Sequence, residues 1–316
     1  MAKKTSEYYK TDHHEFLVSG RDAAANLFDV VYHLDEPVAN ATQIATYLLS
    51  KHAGKQVAVV LGGDGGDELF GGYERYRLSQ FISGYQKMPL AFRKSFGTFF
   101  INLFKNKYPA IEKFNFQGAE RYLSFMAQKG KDVSLFINDK YYNNRVAAEF
   151  YQERYFKEKI NDFEKQFMWA DIRSWLPDES LSRSDKMSMA FGLEQRVPIL
   201  DHRLVELSLR IPTKWKIKGK DKKSIFKQAM REYIPDYVWT QPKRGWFSPT
   251  SAWMRNELKD LVYEVLSPQY SPATQEWFNF EKIKIMLDDH IECKKYNMNL
   301  LWALITFQIW HKQFIK

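Results

Sequence analysis

Asp64, Asp67 and Glu68 place three carboxylates within five residues of the segment Gly62-Gly63-Asp64-Gly65-Gly66-Asp67-Glu68-Leu69-Phe70-Gly71-Gly72-Tyr73. Six glycines in twelve positions let a backbone turn sharply and come close to a ligand, which packing alone does not require. The chemistry such a turn can serve is ligand binding, with acids presented from the end of a strand. Composition alone also allows a generic glycine-rich turn. The apolar run before it and the closing Gly-Gly-Tyr favour the functional reading. Three standard motifs are excluded. No Lys-Ser or Lys-Thr pair closes the turn as in a Walker A loop, and the glycine spacing is not that of a dinucleotide fingerprint. The acids do not alternate as in an EF-hand.

The elements that must hold these residues can be read around them. Val57-Ala58-Val59-Val60-Leu61 is apolar and largely β-branched, and reads as a buried parallel strand. Ligands of open α/β sheets bind at the carboxyl ends of strands, where this turn falls. Upstream, the pattern predicts a strand at 16–19 and helices at 23–34 and 43–52, an alternation expected of a parallel α/β sheet. Beyond residue 75 amphipathic helices dominate. Examples are 164–176, with Phe167, Met168, Ile172 and Trp175 on one face, and 300–314. Residues 105–118, with Pro109, Gly118 and mixed charge, read as a linker or irregular loop.

Composition narrows the class. A chain of 316 residues that is 45% hydrophobic can bury a large core. Its single cysteine, Cys293, rules out a disulfide scaffold and fits a reducing compartment. With no long uncharged apolar stretch and no apolar segment after the first residues, a cytoplasmic location is expected. The net charge of +9 draws on Lys214 to Lys223, where six lysines fall in ten residues. A solvated loop accounts for such a run, and no nucleic-acid-binding motif stands beside it. The tryptophans, among them Trp169, Trp175, Trp215, Trp246, Trp253, Trp302 and Trp310, are spaced as helix–helix contacts rather than as a stacking platform. His13-His14 lacks metal-site spacing, so no metal ligands are expected there.

The glycine-rich segment resembles the SGEGGDELFGGY signature of the asparagine synthetase family's synthetase domain. The resemblance continues through Leu176-Pro177-Asp178-Glu179, then Ser184-Asp185-Lys186-Met187-Ser188-Met189-Ala190, then Leu193-Glu194-Gln195-Arg196-Val197-Pro198-Ile199-Leu200-Asp201-His202. These are similar to the family's LPDD, DRMSMA and LEVRVPFLD stretches. Lys223-Ser224-Ile225-Phe226-Lys227 resembles KYLLR, and Pro242-Lys243-Arg244-Gly245-Trp246 resembles PKRGF. Thr11-Asp12-His13-His14-Glu15-Phe16 and Asp35-Glu36-Pro37 are similar to two further landmarks. The last sixty residues match no motif.

The resemblance implies an ATP-dependent amide ligase. A carboxylate, aspartate in the commonest case, attacks the α-phosphorus of Mg-ATP; ammonia then displaces AMP from the acyl-adenylate. ATP and Mg²⁺ are therefore the expected cofactors. Relatives on this scaffold amidate sugars or close β-lactam rings, so aspartate is the expected acceptor on base rate. The implied fold is a truncated, parallel-sheet α/β core of the adenine-nucleotide α-hydrolase type over residues 1–104, then a mostly α-helical region over 105–316.

By the same resemblance, Gly62, Gly63, Asp64, Gly65 and Asp67 fall on the substrate and adenylate side, and Tyr73 near the reacting centre. Asp64 stands where many members have Glu, and Gly62 where Ser is usual. Lys223 is expected to stabilise transition-state charge, against the alternative of a surface lysine in a lysine-rich loop. Arg183 and Asp185 are expected on the pyrophosphate side, with a helix-surface ion pair as the alternative. Glu194, Arg196 and Asp201 are expected to brace a buried turn.

The family's SGG-x-DSS pyrophosphate loop and N-terminal catalytic cysteine have no counterpart in this sequence. The chain is therefore expected to be the C-terminal part of a synthetase, incomplete on its own. A separately encoded N-terminal glutaminase and pyrophosphate-loop half is the expected partner, and neither nucleic acid nor membrane is. The alternative is a non-catalytic remnant or interaction module.

Overall fold

A computed structural model describes residues 1–86, 89, 116–125, 130–143, 145–158, 160, 162–240, 245 and 247–315. The expected linker at 105–118 and the boundary at 104/105 lie wholly or mostly outside the described residues, as does most of the Pro242–Trp246 turn.

The chain opens with α1 (Ala2–Tyr9) and then runs without regular secondary structure to Ser19. The strand expected at 16–19 is not formed. Those residues pair with no strand, and Ser19 instead closes a capping box with Asp22 at the start of α2 (Gly20–Leu34). The reciprocal bonds satisfy two backbone donors that a helix start leaves open, worth about 1 kcal/mol. The α2 face Ala23, Leu27, Val30, Val31 and Leu34 repeats at helical spacing and is fully buried. α3 (Gln43–Ala53) packs against it, and both helices come where the sequence pattern predicts them.

The next element, β1 (Val59–Leu61), leads into α4 (Gly66–Phe70) and α5 (Glu74–Gln86). Downstream come α6 (Phe163–Arg173), a π-helical turn (Leu176–Leu181), α7 (Ser182–Met189) and β2 (Glu194–Arg196). β1 and β2 form a two-stranded parallel sheet with Val60 opposite Gln195. The strand is parallel, as expected, but it is not buried. Val59 is 42% and Leu61 73% exposed, and among the described residues β1 pairs with β2 alone.

A short antiparallel pair follows, β3 (Ile217–Lys218) and β4 (Asp221–Lys222), then α8 (Ser224–Ala229). This lysine-rich stretch is not wholly solvated. Lys216 is 2% exposed, and burial pulls its ammonium down to about 8. The C-terminal part contains α9 (Lys259–Val265), α10 (Phe280–Ile291) and α11 (Met298–Phe314). Leu301, Trp302, Ile305 and Ile309 of α11 share one core with α2 and with Val262, Ile283 and Leu287. A second core joins Tyr76, Tyr122, Phe167 and Met168. Trp253 and Trp302 are core residues as expected, whereas Trp215 is 47% exposed and Trp246 lies outside the described residues. The architecture is thus α/β, mostly helical with a small parallel sheet. No described helix is long and apolar enough to cross a membrane.

Candidate functional site

The glycine-rich turn leaves the sheet at Gly62, whose N–H donates to the Arg196 carbonyl at 2.8 Å. Gly65 then takes φ +89 and begins α4; a Cβ there would lie 2.2 Å from Leu200. Only glycine meets both conditions. The turn presents its acids to different partners. Asp64 Oδ1 accepts from Ser180 Oγ and Oδ2 from Gln195 Nε2, each at 2.9 Å. Asp67 Oδ1 lies 3.1 Å from Lys223 Nζ, with both side chains about a quarter exposed. Lys223 sits at the N-cap of α8 with φ +56, a left-handed conformation that aims its side chain back at α4.

Gly72 lies against this ion pair, since a Cβ on it would fall 1.7 Å from Asp67 Oδ1 and 2.5 Å from Lys223 Cε. Glu68 is 2% exposed and accepts from the Tyr73 hydroxyl at 2.6 Å. Burial pushes the Glu68 carboxyl above its ordinary value, and the Tyr73 bond draws it partly back. The Tyr73 phenol is raised as well, by burial and then by the Glu68 charge.

Behind Tyr73 stands a buried network. Arg75 lies 4.0 Å over the Tyr73 ring; its Nε donates to Asp171 Oδ2 at 3.0 Å, and a second guanidinium nitrogen lies 2.9 Å from Oδ1. Asp171, fully buried on α6, also accepts from Tyr122 at 2.6 Å and from Tyr76. Burial opposes the Arg75 charge, and Asp171 more than offsets it.

The structure therefore brings Asp64, Asp67, Lys223 and Tyr73 to one turn, with Gly62, Gly63 and Gly65 as its backbone. Arg183 is directed elsewhere. Its Nε donates to Glu179 at 2.9 Å, one helical turn back, and a terminal nitrogen reaches Thr46 at 3.3 Å, so the ion-pair alternative describes its present contacts. Asp185 is exposed and lines a cavity with Gln195 and Leu200. The expected bracing of a buried turn is corrected. Glu194 and Arg196 pair at 2.9 Å but are 55% and 64% exposed, where such a pair contributes little. Asp201 instead caps the following helix by accepting from Arg203 N, and Pro198–Leu200 contains no buried residue to brace. Among the described residues no cluster of three metal-binding side chains occurs.

Ser180, Gln195 and Asp171 were not legible as parts of this site. The signal for Gln195 was a carboxamide in the place of Val in the LEVRVPFLD stretch; for Ser180 and Asp171 no local signal exists. The arrangement offers an ammonium against a carboxylate, a second carboxylate held by neutral donors, and a phenol–carboxyl pair.

A family model described as asparagine synthase matches residues 1–312. The chain belongs to the asparagine synthase family. Asparagine synthetase [glutamine-hydrolyzing] 1 of Bacillus subtilis is 27% identical over 316 residues, covering 98% of this chain and 49% of that protein. A putative asparagine synthetase [glutamine-hydrolyzing] of Mycobacterium bovis is 28% identical, covering 100% and 48%. Amidase chry2 of Gibberella zeae is 23% identical, covering 84% and 43%. This asparagine synthase family chain thus spans about half the length of the curated relatives it matches.

Proposed function

We propose that the chain carries the synthetase chemistry of an ATP-dependent amide ligase, forming asparagine from aspartate and ammonia on an adenine-nucleotide α-hydrolase-type core. The observation that carries this reading is the Asp67–Lys223 pair against Gly72, at the carboxyl end of a parallel strand. A partly exposed ammonium on a carboxylate can exchange onto a phosphate oxygen as negative charge develops there. An aspartate side-chain oxygen attacks the α-phosphorus of ATP, and pyrophosphate leaves. Ammonia then attacks the acyl carbon, AMP leaves, and the nitrogen loses one proton. Tyr73, braced by Arg75 and bonded to Glu68, orients the reacting end. Mg²⁺ bound with the triphosphate would need only one or two protein carboxylates. Asp64, held by two neutral donors, suits that demand and would offset phosphate charge through the bound ion.

The test is AMP and asparagine formation by the folded chain with Mg-ATP, aspartate and ammonium, beside Lys223→Ala. Turnover lost in Lys223→Ala supports the reading; equal turnover in both chains refutes the site. A second reading has its own support in the exposure of Leu61 and in an edge of β1 that no described strand pairs. In it the sheet and the pyrophosphate site are completed by a glutaminase and SGG-x-DSS half, and the chain alone is an inactive module. A folded chain that turns over only after that half is added would establish it. Under both readings Arg183 stands on the pyrophosphate side only if it leaves Glu179, which a nucleotide-bound structure would reveal.

A further inference from the structure

Three departures from the family strings quoted above meet at one point: Gly62 for Ser, Asp64 for Glu, and Gln195 for Val. A Cβ at position 62 would lie 2.3 Å from Gln195 Nε2, so a side chain there and the present Gln195 conformer exclude each other. Gln195 Nε2 donates to Asp64 Oδ2. A glutamate extended along the same direction would drive its carboxylate into the volume that the carboxamide holds. The changes are physically linked: the glycine makes room, the shorter acid withdraws, and the glutamine reaches in.

Gln195 also lines an open cavity of about 490 Å³ with Ser182, Ser184, Asp185, Val197 and Leu200. One Nε2 hydrogen is committed to Asp64, which leaves the second N–H and the acceptor Oε1 of the carboxamide for a ligand. Asp185 adds a carboxylate, and the described lining contains no lysine, arginine or histidine. The one charge on the described wall is negative, so it favours a cationic ligand. A second carboxylate placed there would meet like charge and no cation.

We propose that Gln195, with Asp185, is a specificity determinant of the acceptor pocket, holding the acceptor through an ammonium group rather than through its non-reacting carboxylate. This rests on the amide-ligase reading, in which aspartate carries both groups and is gripped by its ammonium. The pocket then accepts an amino acid lacking the second carboxylate and turns away a dicarboxylate lacking the amine.

Side-chain amide spectra of the ¹⁵N-labelled full chain read this without turnover, the Gln195 signal being assigned by its loss in Gln195→Val. β-Alanine is expected to move the signal saturably, and succinate at the same concentration to leave it in place. Asp185→Asn should weaken β-alanine about tenfold or more, the loss of one charge-assisted hydrogen bond. Gly62→Ser should displace the carboxamide and abolish the response, while Gly62→Ser with Gln195→Val melts like the parent. Succinate moving the signal as strongly as β-alanine overturns the proposal, as does a signal that neither probe moves. An Asp185→Asn chain that binds β-alanine like the parent overturns it too. Acceptor-dependent exchange of pyrophosphate into ATP tests the ligase reading separately. Its absence beside intact β-alanine selectivity would sink that reading and leave the preference of the pocket standing.

Discussion

Gly72→Ala separates the site from the fold, because the closest collisions it causes are with the Asp67–Lys223 pair. Gly72 is not among the glycines with positive φ, so its backbone accepts alanine without strain. The new Cβ would fall 1.7 Å from Asp67 Oδ1 and 2.5 Å from Lys223 Cε. Ordinary contact requires roughly 3.5 Å, so the carboxylate must move by more than about 1.5 Å and the lysine by about 1 Å. Both groups are partly exposed ends of side chains, which places the stability cost at about 1–2 kcal/mol, the low end for overpacking. The expected fall in melting temperature is about 2–4 °C. A displacement of about 1 Å at a reacting centre costs on the order of a hundredfold in rate. The signature is a small loss of stability with a large loss of acceptor-dependent AMP formation. Gly63→Ala is the control, since nothing beyond its chain neighbours among the described residues lies within 4 Å of a Cβ there and stability should hold within about 0.5 kcal/mol. A Gly72→Ala chain that forms AMP within about twofold of the parent rate would refute the placement of the pair at the reaction.

Two further outcomes follow from buried charge. Asp171→Ala should destabilise the chain by roughly 3–5 kcal/mol in denaturant melts, because it leaves the Arg75 guanidinium uncompensated under Tyr73; a loss below about 1 kcal/mol would mean that the network is not a brace. Burial raises the Glu164 carboxyl to about 7, with a further upward push from Asp162. Because the folded value exceeds the unfolded one, its contribution is fully present below about pH 4.5 and fades as pH rises through about 7. Glu164→Gln should therefore melt above the parent at pH 8 and close to it at pH 4.5, and parallel melting curves across that range would contradict the assignment.

Much of the site could be read along the chain, since a turn is local. The glycines, Asp64, Asp67 and Tyr73 lie within twelve residues. The position of Lys223 followed from family resemblance, not from any physical signal nearby, and the part played by Gln195 was not legible at all. The helices at 20–34 and 298–314 were legible because apolar residues recur at helical spacing. The strand expected at 16–19 failed for a related reason. Four apolar or small residues cannot announce whether a partner strand exists, and Ser19 used its hydrogen bonds to start a helix instead. Burial of β1 was misjudged likewise, because apolar composition records a preference for burial and not the presence of something to bury it.

The sequence by itself determined the family, the parallel strand and the glycine turn at its end, because all three reside in contiguous residues and their order. Tertiary structure alone decided which acid faces a cation. Asp64 and Asp67 are three residues apart and chemically identical, yet one meets Ser180 and Gln195 while the other meets Lys223. Those partners arrive from 116 to 156 residues away in the chain. Their selection is an outcome of packing α4, the π-helical turn, α8 and β2 together, and no local pattern encodes a contact closed over such a loop.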